Sequence, residues 1–465
     1  MARAKKETAL TPEERLQAAL VPDWEWPYKL PKNWCWTRIG MVSNFERGIT
    51  FPAAAKEAAP TEDNIPCLRT ANVQENLEID DMIYVNRDFM KGNIAKLVRE
   101  NDIIMSSANS RELVGKSSLV THIPFPMTFG GFVLNIRAKE MSSKYLFYFL
   151  RHEFLAGKFI GESSQTTNIA NINTTTLGNY EIPLPPLPEQ QRIVDRIESL
   201  FAKLDEAKEK AQAVGDSFET RKAAILHKAF TGELTAKWRE EHGVRMESWH
   251  LRTIGEVCEN VKVGIVIKPS QYYVPQNEGT PAFRSANVRE CRIDDFNWVY
   301  LNEKGMKDNS RSIVHTGDVL VVRSGNPGTA CVVPERFDGY NAIDILIAVP
   351  NKKIIISDYL CYYTNSPLGK KTVEIGKRGI ALTHFNVKGF SQMSINIPTI
   401  PEQVVIVRTL GDLFAQEQQA KEAAEAVLDQ IDLMKKSILA RAFRGELGTN
   451  DPSEESAVKL LKQII

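Results

Sequence analysis

The 465-residue chain is long enough for two or three domains, each with a proper core. Its 43% apolar and 25% charged residues are those of a globular protein, and no window reaches the ~18 apolar residues of a membrane span. Lys plus Arg and Asp plus Glu both number 58, and this balance excludes a protein that coats nucleic acid by bulk charge while leaving open a reader of base edges.

The first ten residues, MARAKKETAL, are basic but lack the apolar run of a signal peptide, which predicts a cytoplasmic protein. Residues 1–32 form an N-terminal extension. Within it, Thr11-Pro12-Glu13-Glu14 predicts a capped helix start, with Leu16, Ala19 and Leu20 on one face and Pro22, Pro27 and Pro31 ending it. Trp24, Trp26, Trp34 and Trp36 read as sealing a core edge. The six cysteines, Cys35, Cys67, Cys258, Cys291, Cys331 and Cys361, show neither a C-x-x-C pair nor zinc-ligand spacing. They read as isolated buried thiols.

Residues 33–187 read as a first mixed domain, with β runs at 103–105 and 132–136 and a buried helix over Tyr145–Phe154. Residues 188–238 predict a long helix and residues 239–400 a second mixed domain. Residues 401–447 predict a second long helix, followed by a tail over 448–465. The two mixed domains echo each other weakly. Arg69-Thr70-Ala71-Asn72-Val73 returns as Arg284-Ser285-Ala286-Asn287-Val288, and Asn101-Asp102 corresponds to Gly317-Asp318.

The helices repeat strongly. Pro188–Leu234 returns as Pro401–Leu447 at a constant offset of 213, with 23 of 47 positions identical. Pro188 suits a first helical turn, and Glu189 favours the positive helix end. One helix over Glu189–Phe230 would be roughly 63 Å long. Ile193, Ile197, Leu200, Leu204, Ala207, Ala211, Val214 and Phe218 alternate by four and three, a heptad seam. The second copy has Ile406, Leu410, Leu413, Glu417, Ala420, Ala424, Val427 and Ile431, and Glu417 interrupts it. A helix with one apolar stripe needs a partner; the other copy, running antiparallel, is the expected one, and packing of each helix on its own mixed domain is the alternative. The matching ends, with Phe230, Gly232 and Leu234 against Phe443, Gly445 and Leu447, predict two equivalent docking sites for a partner protein.

Sequence signatures of catalysis are missing: no Walker loop, no G-x-G-x-x-G, no G-x-S-x-G and no H-E-x-x-H. Asn326-Pro327-Gly328 lacks the second Pro and the aromatic of the amino-methyltransferase motif and reads as a turn.

The duplicated Pro-Glu-Gln, long helix and Ala-Phe-x-Gly-Glu-Leu, each after a divergent domain, resemble the specificity subunit of type I restriction-modification systems. The Arg-x-x-Asn-Val and Asp102/Asp318 positions resemble the framework of its target-recognition domains. The resemblance implies an α+β protein: two mixed α/β target-recognition domains separated by two long antiparallel coiled-coil helices, a pseudo-twofold internal repeat. It implies double-stranded DNA as ligand, with each domain reading half of a bipartite target. It further implies two modification subunits that carry S-adenosylmethionine, and restriction subunits that use ATP and Mg. No cofactor or metal is expected in this chain, and no membrane. The other reading is a protein-interaction scaffold with two binding modules on a coiled coil.

Direct readout calls for Arg, Lys, Asn, Gln, Ser and Thr on loops. In the first domain these are Arg47, Ser106, Ser107, Asn109, Ser110 and Arg111, then Gln165, Thr166, Thr167, Asn168 and Asn171. In the second they are Arg323, Ser324, Asn326, Lys377, Arg378, Thr383, His384 and Asn386. The basic run Gly369–Gly379, with Lys370 and Lys371, is a candidate phosphate holder. Arg69 and Arg284 read alternatively as framework residues tied to a carboxylate.

Overall fold

The computed structural model describes residues 11–162, 164–166, 169–378 and 385–465. They fold as two compact units, one of residues up to Lys210 with Val427–Ile465, the other Ala211–Ala426.

In the first unit Ile103–Ser106 is buried at every position, as a short apolar run inside a layer should be. It lies third in a four-stranded antiparallel sheet ordered Ser43–Arg47, Val133–Ala138, Ile103–Ser106, Ser117–Leu119. A smaller sheet joins Ile83–Asn86, Asn64–Leu68 and Thr128–Phe129, the last pair parallel. Helix Ser143–Leu155 is capped by the Ser142 hydroxyl and buries Tyr145, Leu146, Phe149 and Leu150. Thr11 forms the expected capping box for helix Pro12–Ala19. Trp34 and Trp36 are buried, whereas Trp24 is 86% exposed and seals nothing in this unit.

The second unit repeats the plan. Its main sheet runs Cys258–Val263, Ile345–Pro350, Val319–Val322, Ala330–Val332. Its smaller sheet again ends in a parallel pair, Thr280–Phe283 with Asn341–Ala342, and gains one strand, Tyr273–Val274.

The weak sequence echoes are framework. Buried Asn72 accepts the Arg69 N–H at 2.7 Å and donates to the carbonyls of Glu78 and Asp81, both at 2.9 Å. Asn287 does the same for Arg284 (2.9 Å) and the carbonyls of Asp294 (3.2 Å) and Phe296 (2.8 Å). Arg69 is tied to the Asp81 carboxylate at 3.0 Å; Arg284 instead donates to the Asn297 carbonyl. Asn101 and Gly317 make the same left-handed turn, with φ of 69° and 91°, because Asn tolerates that region better than most side chains.

The first long helix is kinked at one residue. It runs Leu187–Asp216 and Phe218–Phe230, and Ser217 between them stays right-handed at φ −84° and ψ −5°. The helical ladder crosses it, with the Ser217 N–H on the Ala213 carbonyl at 3.1 Å and the Arg221 N–H on the Ser217 carbonyl at 2.9 Å. Gly215 precedes the kink, and the Ser217 hydroxyl also donates back to the Ala213 carbonyl at 2.5 Å, a bond that bends helical turns. The second helix is unbroken over Ile400–Phe443.

Each unit holds its own antiparallel crossing of these helices. In the first, Lys435 Nζ meets Asp205 at 2.5 Å and stands 5.2 Å from the Phe201 ring centre. In the second, Arg221 Nε donates to Glu417 at 2.7 Å and Lys421 stands 5.0 Å from the Phe218 ring centre. Glu417 thus stays half-buried at its seam position because Arg221 neutralises it. The seam is otherwise uneven: Ile406, Leu410, Ala424 and Ile431 are buried, while Ala420 and Val427 are exposed.

The tail is ordered. Helix Ala457–Ile464 buries Ala457 and Leu461 in the core of the first unit, against helix Pro12–Ala19 and Ile39–Val42. Among the described residues no helix is long and apolar enough to cross a membrane.

Candidate nucleic-acid interface

A reading surface needs loops held on a rigid frame, and the repeated Pro-Glu-Gln supplies the hold. Gln190 Oε1 accepts the Ser142 N–H at 2.9 Å, and Gln403 Oε1 accepts the Ile356 N–H at 2.9 Å. Ser142 and Ile356 are the residues that start the main helix of each mixed domain. The fully buried Glu189 accepts the Trp34 indole N–H at 2.8 Å, and Glu402 accepts that of Trp249 at 2.9 Å. The two glutamates differ in their other partners. Glu402 is bonded by Arg239 at 2.6 Å and by the Thr235 hydroxyl at 2.7 Å. Glu189 receives neutral donors, Asn450 at 2.7 Å and Thr449 at 3.4 Å.

In the first unit the fold brings two separate sequence clusters together. Ala108–Asn109 pairs with Ile169–Asn171, which pairs with Ser164–Thr166, in one small three-stranded sheet. Asn109, Asn171, Gln165 and Thr166 therefore share a platform; the side chains of Gln165 and Thr166, and the whole of Thr167 and Asn168, lie outside the described residues. Ser106 is buried beneath this platform and accepts from Asn109 Nδ2 at 3.0 Å, so it orients Asn109. Ser110 and Arg111 are exposed at the turn that follows. Arg47 is exposed and reaches the Thr174 hydroxyl at 3.3 Å.

Phe132 adds an exposed aromatic to this surface. The strand expected from Phe132 starts at Val133, and Phe132 stands 65% exposed after Gly130-Gly131. Its carbonyl accepts the Ser107 N–H at 3.0 Å, and it borders a cavity of about 460 Å³ shared with Lys56, Arg69 and Thr70. The adjacent glycine pair was the available signal. A Cβ on Gly48 would sit 2.0 Å from the Gly130 carbonyl oxygen, so the chain crosses there only with glycine.

In the second unit Arg323 and the segment around Asn386 converge as well. Arg323 is only 15% exposed at its side chain, where Nη1 bonds Asp344 at 2.6 Å and Nε bonds the Phe385 carbonyl at 3.0 Å. These two bonds tie Arg323 to the neighbouring loop, which it helps to hold in place. Asn386 caps helix Val387–Ser391 by accepting the Gly389 N–H at 2.8 Å. Asn326 is exposed in a turn flanked by Gly325 and Gly328, at φ of 86° and 91°. Ser324 is half-buried beside it. Thr383 and His384 lie outside the described residues.

The basic run is helical, from Pro367 to Arg378. Gly369 permits it, since a Cβ there would meet the Tyr363 carbonyl oxygen at 2.3 Å. Lys370 and Lys222 both bond Glu290. Burial raises the Glu290 carboxyl, but these two hydrogen bonds outweigh it and hold the group below its ordinary range. Lys371 is exposed on the next position. The side chains of Lys377 and Arg378 lie outside the described residues.

The helix ends pack into their own units. Phe230 lies between Tyr359 and Tyr363, ring centres 5.2 and 5.3 Å away. Phe443 lies among Tyr145 (5.4 Å), Phe149 (5.2 Å) and His152 (5.5 Å). A Cβ on Gly232 would meet Met246 Sδ at 2.8 Å, and one on Gly445 would meet Pro31 Cγ at 2.5 Å. Leu234 and Leu447 are half-buried against the same cores. Internal packing thus accounts for the repeated residues. The side chains these loops turn to solvent are Thr231, Glu233, Arg444 and Glu446.

Two copies of one sheet frame, each carrying a different cluster of Ser, Asn and Arg loops, define a recognition protein with two reading surfaces. The chain belongs to the type I restriction modification DNA specificity domain family, whose profile matches residues 31–214 and 246–426. It is 26% identical over 460 residues to the type I restriction enzyme EcoKI specificity subunit of Escherichia coli strain K12, covering 94% of this chain and 96% of that one. It is 26% identical over 437 residues to the StySPI specificity subunit of Salmonella potsdam, covering 90% of each. The HsdS subunit from Thermoanaerobacter tengcongensis shares the fold at a TM-score of 0.61 and 20% identity, over 91% of this chain and 100% of that one. A chain solved in work on complex assembly and conformational transition of the type I R-M system does so at 0.66 and 20%, over 90% and 100%. Specificity subunits recognise DNA sequence and are not themselves enzymes, and that is the role of this chain.

Proposed function

We propose that each unit reads one half of a bipartite, asymmetric DNA target and that the chain directs partner subunits to it. The observation that carries this is the matching strand order of the two main four-stranded sheets under unlike loop clusters, Ser107–Arg111 with Asn171 in one and Ser324–Asn326 in the other. Two different readers on one repeated frame read an asymmetric site, whereas a homodimer is confined to a palindrome. Two modification subunits supply S-adenosylmethionine and methylate adenine; restriction subunits supply ATP- and Mg-dependent cleavage; the complex works in the cytoplasm. Partners dock beside the repeated helix ends, on exposed Glu233 and Arg444 and their neighbours. Zero net charge fits a reader whose partners clamp the phosphates.

The deciding experiment is methylome sequencing of the host with and without this gene. Loss of a single split methyl-adenine motif is the expected result; an unchanged methylome with active modification subunits would sink the reading. Gel shifts should show weak DNA binding by the lone chain and much tighter binding once the modification subunit is added.

Within the interface, Arg111→Ala should relax one position of the first half-site, a loss of about 1–3 kcal/mol of discrimination. Lys371→Ala should weaken all sequences alike and lower the salt slope by about 1. Affinity of the subunit complex for a set of single-base target variants, across a salt series, separates the two behaviours.

A further inference from the structure

Two of the six thiols depart from the pattern of isolated buried cysteines. Cys291 is exposed, in the tight turn between Val288–Arg289 and Arg292–Ile293, at a φ of 54°. Cys361 is buried in helix Ser357–Asn365. Their sulfurs are 3.6 Å apart.

One carbonyl sets that approach. The Cys291 N–H donates to the Ala330 oxygen at 2.8 Å, and the Cys361 thiol lies 3.4 Å from the same atom. Asn365 brackets Ala330, donating to its oxygen at 2.9 Å and accepting its N–H at 3.0 Å. A turn, a strand and a helix therefore meet at one peptide and hold the two sulfurs in contact. Asn365 Nδ2 also lies 3.4 Å from the Cys291 sulfur. The hydrogen bond from Cys361, helped by Asn365 and the Lys222 ammonium against burial, holds the Cys291 thiol below its ordinary range. The same bond and then burial push Cys361 up. A surface cavity of about 370 Å³, lined by both cysteines with Arg336 and Tyr362, lies against the pair.

We propose that Cys291 and Cys361 form an oxidation site for hydroperoxides, with Cys291 as the attacking thiolate and Cys361 as the resolving thiol. The Cys291 sulfur bonds to one peroxide oxygen as the O–O bond breaks. The leaving hydroxide or alkoxide takes up a proton, and the sulfur is left as a sulfenic acid. The sulfur has lost two electrons and the peroxide has gained them. Cys361 then attacks the Cys291 sulfur; the S–S bond forms, the S–O bond breaks, and the departing hydroxide leaves as water with the proton from Cys361. The link joins the turn next to Glu290 to the helix that precedes the basic one. Glu290 is the anchor of Lys370, so oxidation fixes the base of the helix that carries Lys370 and Lys371.

The test treats the full reduced chain with limiting hydrogen peroxide and maps its thiols by mass spectrometry. The expected product is one intramolecular Cys291–Cys361 disulfide, reversed by dithiothreitol, with Cys291 consumed at least about tenfold faster than buried Cys35. Cys361→Ser should stop at a sulfenic acid on Cys291 that dimedone traps. Cys291→Ser, and Cys291→Ala as a second variant, should leave Cys361 reduced. Oxidation of Cys291 no faster than Cys35, or pairing of either cysteine with Cys331 or with another molecule, would overturn the proposal.

Discussion

Replacing Glu402 by alanine should destabilise the second unit by about 3–5 kcal/mol, because it strands a buried cation. Arg239 is only 8% exposed, and its guanidinium bonds Glu402, the Thr235 hydroxyl (3.0 Å) and the Gly232 carbonyl (2.6 Å). Without the carboxylate the positive charge keeps two neutral partners and no counter-charge, and the Trp249 indole loses its acceptor. The equivalent change in the first unit, Glu189→Ala, should be milder, about 1–3 kcal/mol. Trp34, Asn450 and Thr449 are neutral, so their loss of an acceptor strands no charge. Arg192, one turn along, is already engaged by Glu454 at 2.8 and 2.9 Å. Urea unfolding of the full chain, followed by hydrogen exchange of amides from each unit separately, reads both effects. Equal shifts for the two variants would show that the buried cation contributes nothing special. A double change that removes Arg239 and Glu402 together should recover much of the loss, as buried pairs replaced as a pair commonly do.

This asymmetry shows what could be seen in the residues and what could not. The repeat, its heptad seam and the interrupting Glu417 are patterns within one helix, and pattern is what a sequence displays. The partner of each glutamate is not. Glu189 read as a helix-dipole residue, and it does stand in the first helical turn; its indole donor lies 155 residues away in the chain. The same holds for the interface. Loop chemistry pointed to 106–111 and to 165–171, but only strand pairing puts Asn109 opposite Ala170. Arg323 has the composition of a base reader, and nothing in its neighbourhood in sequence shows that Asp344 and the Phe385 carbonyl tie two of its donors to the fold. The kink at Ser217 is local yet illegible in the seam, which tells which face is inward and says little about one hydroxyl that shares a backbone carbonyl. The cysteine pair failed for the long-range reason, since 70 residues separate sulfurs that share one peptide.

The tail offers the second large effect. Leu461→Ala should destabilise the first unit by about 2–4 kcal/mol, and ending the chain after Gly448 by at least as much. Leu461 and Ala457 are fully buried, and Val458, Leu460 and Ile464 cover the same core. The segment also gives that core its polar closure. The Ala457 N–H donates to the Asn33 carbonyl at 2.8 Å, Asn33 Nδ2 donates to the Asp451 carbonyl at 3.0 Å, and Asn450 reaches Glu189. Truncation would therefore expose apolar side chains and leave buried Glu189 with only the Trp34 indole among its three side-chain donors. Leu461→Ala removes the packing and keeps the hydrogen bonds; Asn450→Ala does the reverse, at about 1–3 kcal/mol. In each variant, exchange should quicken in helix Pro12–Ala19 and in Ile39–Val42, which the tail helix packs against, while amides of the second unit keep their protection. Uniform loss of protection across both units would mean that the tail supports more than the first unit, and unchanged protection at Pro12–Ala19 would mean that it supports nothing there. Because Trp34 opens the first reading domain and Glu189 opens the long helix, loosening the tail should act on DNA reading through the first half-site alone.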